Sequence, residues 1–370
     1  MPAPVLFTPF ALRGLELANR VVVSPMCQYS AEDGRAGDWH LAHLGQLAVS
    51  GPGLVILEAT AVEPRGRITP RCLGLWDETC EAALARVVRF CREHGQARLG
   101  IQLAHAGRKA STHPPWLGQG AVPEGQGGWQ TVAPSALAAG QGMPLPQALS
   151  GAQIEALIEA FAAAARRAAR AGFDLVEIHA AHGYLLHEFL SPLSNHREDQ
   201  WGGSLENRMR LPLAVFEAVR AEWPSERPLG VRVSATDWVA GGWDLEQTVA
   251  LARALAERGC DFLDCSSGGL SEAQEIPLGP GYQVPFAERV RRETGMATIA
   301  VGLISEPRQA EAILAGGRAD LVALARGMLD DPRWTWHAAA ALGAEVAYPG
   351  PYLRCRPEVW PPARERAGRR

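Results

Sequence analysis

The sequence is nearly without lysine. Lys109 is the single lysine among 36 basic residues, and asparagine occurs only at Asn19, Asn195 and Asn207. With 40 acidic residues the net charge is −4, so the basic excess expected of a nucleic-acid or membrane-surface binder is missing. The seven cysteines form no C-x-x-C pair. Their odd number and spacing argue against a disulfide framework, a zinc ribbon and an iron–sulfur cluster. No charge-free apolar run reaches the length of a membrane span. The N-terminal stretch lacks the basic and apolar regions of a signal peptide. The expectation is a cytoplasmic protein with reduced thiols, binding neither nucleic acid nor membrane. G-x-G-x-x-G and Gly-Lys-Ser/Thr are also absent, which speaks against a Rossmann cofactor domain and a P-loop.

What is present alternates. At 370 residues the chain can hold two domains or one decorated α/β barrel. Apolar runs rich in Val, Ile and Leu occur at 20–26, 53–62, 99–105, 173–180, 229–234, 261–266, 298–302 and 320–325. Near-continuous apolar runs are the mark of parallel strands buried on both faces. Helical spacing marks 81–93, 150–171, 204–222, 244–258, 306–315 and 332–341, with capping residues at Ser150 and Ser204. Eight strands with helical crossovers predict a single (β/α)8 TIM barrel over 1–343; a doubly wound sheet is the alternative. Residues 107–149, rich in Gly, Pro and Gln, interrupt the pattern after strand three. They read as a lid, or otherwise as a solvated insert. The Pro-rich stretch 344–370 reads as an irregular tail that either docks on a surface, that of a neighbouring subunit, or is partly disordered.

A barrel's chemistry lies at the C-terminal ends of its strands. The strongest signal there is Glu177-Ile-His-Ala-Ala-His-Gly-Tyr184. His179 and His182 can donate hydrogen bonds to an oxygen gaining negative charge, and Tyr184 can deliver a proton. The same His pair could instead ligate a metal in a TIM-barrel hydrolase, if further ligands exist. His40 and His43 repeat the H-x-x-H spacing but belong to helix one. Gln102 and Arg232 are polar within buried strands. Arg232 needs either an internal partner such as Glu177 or a ligand. Gly302 and Ala325-Arg326, after strands seven and eight, suit a phosphate.

Four segments carry a resemblance: 24–29 (Ser-Pro-Met-Cys-Gln-Tyr), 102–110, 179–195 and 201–208. Together the chain resembles the old yellow enzyme family of FMN-dependent ene-reductases (NADH:flavin oxidoreductases), in its YqjM-like bacterial branch. The resemblance implies bound FMN, with NADPH or NADH as the reducing substrate and an activated alkene as acceptor. It implies Pro25, Met26, Ala59 and Gln102 at the isoalloxazine ring, Arg232 near flavin N1 and O2, and Gly302, Ala325 and Arg326 at the phosphate. Cys27 would tune the flavin without acting as a nucleophile, and Tyr29 would line the substrate pocket. His179 and His182 would hold the substrate oxygen, and Tyr184 would protonate the carbon opposite to hydride delivery from N5, in ping-pong turnover. Arg354 would reach a neighbouring site in a homodimer or homotetramer. Ala325 departs from the Gly common before the phosphate Arg, and the lid is long and Trp-rich.

Overall fold

The computed structural model describes residues 3–118 and 120–363; the last residues of the expected tail, 364–370, and the first two of the expected barrel domain lie outside them. Eight parallel strands close into a barrel. They are β1 (Val21–Val23), β2 (Leu54–Ala61), β3 (Arg98–Ala104), β4 (Leu175–Ala180), β5 (Leu229–Ser234), β6 (Phe262–Ser266), β7 (Ala297–Val301) and β8 (Leu321–Leu324). Each pairs with its neighbours in sequence, and β8 returns to β1. The (β/α)8 reading holds and the doubly wound sheet does not. β1 is shorter than its apolar run because Ser24-Pro25 follows, and proline cannot donate to a ladder.

The crossover helices are α1 (Asp38–Ala48), α2 (Glu78–His94), α3 (Gly151–Ala171), α5 (Leu205–Glu222), α6 (Leu245–Glu257), α7 (Val284–Thr294) and α8 (Pro307–Ala315). Short α4 (Leu185–Leu190) and α9 (Arg326–Asp330) sit on the loops after β4 and β8, and α10 (Trp334–Leu342) closes the ring. Ser150 and Ser204 accept from the backbone N–H groups of Gln153 and Asn207, capping α3 and α5. The outer core packs helix faces against outward strand residues such as Val176, Ile178, Val231 and Leu263. The inner core holds Leu54, Ile56, Leu175, Phe262, Ile299 and Leu321. Gly230 makes room there: a Cβ on it would lie 2.4 Å from the Phe262 ring. The antiparallel ribbon Phe10–Leu12 with Leu15–Leu17, not expected from the sequence, adds Leu12 and Leu17 to this interior. The barrel is therefore solid at that end, and open chemistry is confined to the other.

Candidate functional site

Above the apolar interior, the inward positions turn polar. Gln102 on β3 is in register with Glu177 on β4, and Arg232 on β5 with Asp264 on β6. All four are buried. Gln102 Nε2 donates to Glu177 Oε1 at 2.7 Å. Arg232 Nε stands 3.3 Å from Asp264 Oδ2. The internal partner of Arg232 is thus Asp264 and not Glu177, because the β4 residue in register with Arg232 is His179. Burial pushes the Glu177 carboxyl above its usual range, and the nearby Asp264 charge adds to this against the opposing pull of Arg232. Burial raises Asp264 as well, with Arg232 opposing.

One layer higher, the β4 end turns sharply. His182 (φ 58°) and Gly183 (φ 72°) are both left-handed, and a Cβ on Gly183 would lie 2.3 Å from the Gly269 carbonyl. The turn brings His179, His182 and Tyr184 together: the His179 ring lies edge-on to His182 at 5.2 Å and to Tyr184 at 5.0 Å. The Ala181 N–H donates to His179 Nδ1 at 3.3 Å, which leaves the ring proton on Nε2. The His182 N–H donates to Ser234 Oγ at 2.9 Å, and His182 Nε2 shares a 2.6 Å hydrogen bond with Ser266 Oγ. Burial, then the Arg232 charge, holds both imidazoles well below their ordinary pKa. They are neutral donors at pH 7. Burial raises Tyr184 well above the ordinary phenol, so it keeps its proton.

The β1 end supplies a second wall. Pro25, Met26 and Cys27 are half-buried, and the Cys27 thiol is pushed well up by burial first and then by Cys72 and Glu58. It is a thiol at neutral pH, unsuited to nucleophilic attack. Tyr29 (φ 49°) meets Trp116 of the 107–149 segment edge-on at 5.7 Å. Ala59 is in register with Gln102 after a β2 irregularity, and Glu58 beside it accepts from the Gln28 N–H at 3.0 Å. The 107–149 segment is tied down: the Trp129 indole donates to the Arg65 carbonyl, and Arg108 to those of Leu137 and Leu270. Its Ala139 and Met143 join Ile68, Lys109, Tyr184 and Leu270 around a cavity of about 360 Å³.

At the ends of β7 and β8, Gly302 takes a φ of 117° that strains any side chain, and a Cβ there would meet the Gln283 side chain, 2.6 Å from Nε2. Ala325 precedes α9, and Arg326 is exposed with no ion pair to a described residue. Arg354 is apart from all of these. It is exposed on the turn Gly350–Cys355, whose Tyr352 packs against Trp336 of α10. His40 and His43 lie on the buried face of α1, His40 Nε2 3.4 Å from Glu58 Oε1. Among the described residues no three His, Cys, Asp or Glu side chains are placed to hold a metal ion. The hydrolase reading of His179 and His182 therefore lacks further ligands.

Residues 5–345 match the family model described as NADH:flavin oxidoreductase / NADH oxidase. The chain belongs to the old yellow enzyme family. It is 47% identical to a NADPH dehydrogenase of Geobacillus thermodenitrificans over 95% of this chain and 98% of that one. It is 44% identical to a NADPH dehydrogenase of Bacillus subtilis, over 94% and 98%. Among solved structures, morphinone reductase in complex with tetrahydroNAD is similar, with TM-score 0.77, 32% identity, and coverage of 94% and 93%. The old yellow enzyme homologue of Zymomonas mobilis matches with TM-score 0.76 at 26% identity, covering 93% and 94%.

An old yellow enzyme is an NAD(P)H:flavin oxidoreductase, and the polar layer can be tested for fit to a flavin. Glu177 Oε2, Arg232 Nε and both Asp264 oxygens have no aligned hydrogen-bond partner among the described residues. A buried guanidinium left short of acceptors, a cradle at Gly302 and an unpaired Arg326 suit a ligand with a polar ring edge and a phosphate. From the sequence, Ser234 and the Ser266 turn stand among the polar strand ends without an assigned role, and Asp264 was overlooked. The signal for Asp264 was present: one acid inside the apolar run Phe262-Leu-Asp-Cys. No described helix is long and apolar enough to cross a membrane.

Proposed function

We propose that this oxidoreductase uses NADPH or NADH to reduce C=C bonds activated by a carbonyl or nitro group, with FMN as its cofactor. When bound, FMN supplies the hydride transfer in both half-reactions. Pro25, Met26, Cys27, Ala59, Gln102 and Arg232 would hold its ring system, and Gly302, Ala325 and Arg326 its phosphate. The observation that carries the reading is the joint state of the β4 end: two neutral imidazoles and a protonated phenol, the His179 ring about 5 Å from the other two, with Tyr184 lining an open cavity of about 360 Å³. Neutral imidazoles donate hydrogen bonds to an oxygen that gains charge, drawing electron density from the β-carbon of the alkene. Tyr184 then protonates the α-carbon. Tyr29 and Trp116 would bound the alkene, and Arg354 would enter from a second copy in a homodimer or homotetramer.

The test is a pair of half-reactions on the purified yellow protein, with cyclohexenone or a maleimide as acceptor in ²H₂O. Tyr184→Phe should leave reduction by NADPH within about twofold and slow alkene turnover by about 10²–10⁴, the range of general-acid contributions. Solvent deuterium should appear at the α-carbon only. Full alkene turnover by the variant, or a protein that takes up no FMN, overturns the reading.

A further inference from the structure

Two acids lie in the barrel where the chemistry described above has no use for either. Glu177 and Asp264 are both fully buried, Asp264 beside the Arg232 guanidinium and Glu177 within reach of its charge. They also sort the neighbouring donors. The amide nitrogen of Gln102 is committed to Glu177 at 2.7 Å, so the acceptor end of that amide is the one left for a ligand. Asp264 stands beside Arg232 Nε, which leaves the terminal NH₂ groups of the guanidinium for other acceptors.

The charge count of this layer is constrained by burial alone. Two carboxylates against one guanidinium would leave a net negative charge sealed in low dielectric, which costs far more than keeping one proton. Other charged or titratable groups that act on the layer are few: His179 on β4, in register with Arg232 and neutral, His182 after it, also neutral, and Lys109 beyond them near the cavity. The inward positions on β7 and β8, Ile299, Val301 and Ala323, are apolar.

We propose that Glu177 and Asp264 are positioning residues that together hold one proton, and so fix both the orientation and the net charge of the Gln102–Arg232 floor presented to the flavin. With one proton between them the floor is neutral overall and Arg232 faces the cofactor at full charge. Loss of that proton at high pH makes the floor net negative, which opposes the negative charge that the cofactor gains on reduction. This rests on the flavin reading above and adds two residues to it.

The experiment is spectroelectrochemistry of the FMN-loaded protein between pH 6 and 9, with Glu177→Gln and Asp264→Asn. Glu177→Gln keeps a side-chain oxygen for Gln102 but cannot ionise. Its potential should exceed wild type increasingly toward pH 9, by about a tenfold change in the reduced/oxidised ratio, or about 30 mV for a two-electron couple. Asp264→Asn should shift it in the same direction and weaken FMN binding as Arg232 loses its anchor. A second readout needs no flavin. The infrared spectrum of the wild-type apoprotein at pH 7 should show a buried carboxylic-acid C=O band that disappears in Glu177→Gln or Asp264→Asn. Difference spectra are required, because buried Glu188 is also raised and contributes a band of its own. Potentials that stay parallel to wild type across the pH range, or no carboxylic-acid band lost in either variant, overturn the inference. Failure of the wild-type chain to bind FMN would instead overturn the flavin reading.

Discussion

The ammonium of Lys109 lies 5.1 Å from the centroid of the Tyr184 ring. Its Nζ donates to the carbonyls of His182, at 2.8 Å, and Gly269, at 3.0 Å. The only lysine of the chain therefore joins the β4 and β6 loops and places a positive charge over the proposed proton donor. As Tyr184 gives up its proton, that charge stabilises the phenolate; a partly desolvated cation–π contact is worth about 1–2 kcal/mol. Lys109→Met should slow the alkene half-reaction by roughly tenfold and leave reduction by NADPH near wild type. Burial lowers Lys109 to about 8, so the wild-type alkene rate should fall as pH rises through that value. The Lys109→Met profile should be flat there. Stopped-flow rates from pH 6.5 to 9.5 decide it; an alkaline limb kept by the variant would assign it elsewhere.

Gly183 is the pivot of the same turn. Alanine there would need a left-handed φ of 72° and a Cβ 2.3 Å from the Gly269 carbonyl, a backbone atom that cannot swing aside. The conformational cost alone is about 1–2 kcal/mol, and the overlap adds to it. Gly183→Ala should lower the denaturation midpoint and reduce alkene turnover more than NADPH oxidation, because His182 and Tyr184 shift while the barrel stays. Equal losses in both half-reactions would mean that the turn serves folding only.

The barrel was readable because each strand is a short apolar run and each crossover helix has a cap or a stop, local signals that the closed sheet merely collects. The His179–His182–Tyr184 group was readable because it is contiguous. Helix α7 was not, since Val284-Pro-Phe-Ala-Glu-Arg-Val-Arg-Arg follows a Gly- and Pro-rich loop and buries only Val284, Phe286, Ala287 and Val290. The partner of Arg232 was not readable either. Register across β4, β5 and β6 chooses Asp264 over Glu177, and register is a property of the closed barrel. The hydroxyls of Ser234 and Ser266 gained meaning only when a third loop placed His182 against them.

His43 links the fold to pH. It is buried on α1, and burial, then nearby His40, lowers it to about 4. In the unfolded chain its pKa returns to about 6.5. Between these values the unfolded state binds the extra proton, so stability is lost as pH falls from about 6.5 to about 4, and the loss amounts to roughly 3 kcal/mol at most. His43→Leu keeps an apolar body in that space and cannot titrate. Urea unfolding at pH 7 and pH 4.5 should show a smaller acid destabilisation in the variant. An unchanged difference would show that His43 is protonated in the native state as well.

Ser266 decides which nitrogen of His182 carries the proton. Its Oγ shares the 2.6 Å bond with His182 Nε2 and lies 3.5 Å from Gln283 Oε1, to which Ser267 Oγ also donates at 2.6 Å. Ser266 has one hydroxyl proton for two partners: donated to Gln283 Oε1, it leaves Oγ to accept from His182 Nε2–H, and donated to His182 Nε2, it puts the ring proton on Nδ1. Ser266→Ala removes this choice and lets the imidazole take either tautomer. The cost is that of one buried hydrogen bond, about 1 kcal/mol, which should appear as about a fivefold rise in KM for an enone with a smaller change in kcat. Nitrogen chemical shifts of His182 should move from one tautomer to a mixture. A variant whose KM and tautomer both match wild type would show that the backbone bond to Ser234 is enough to orient the ring.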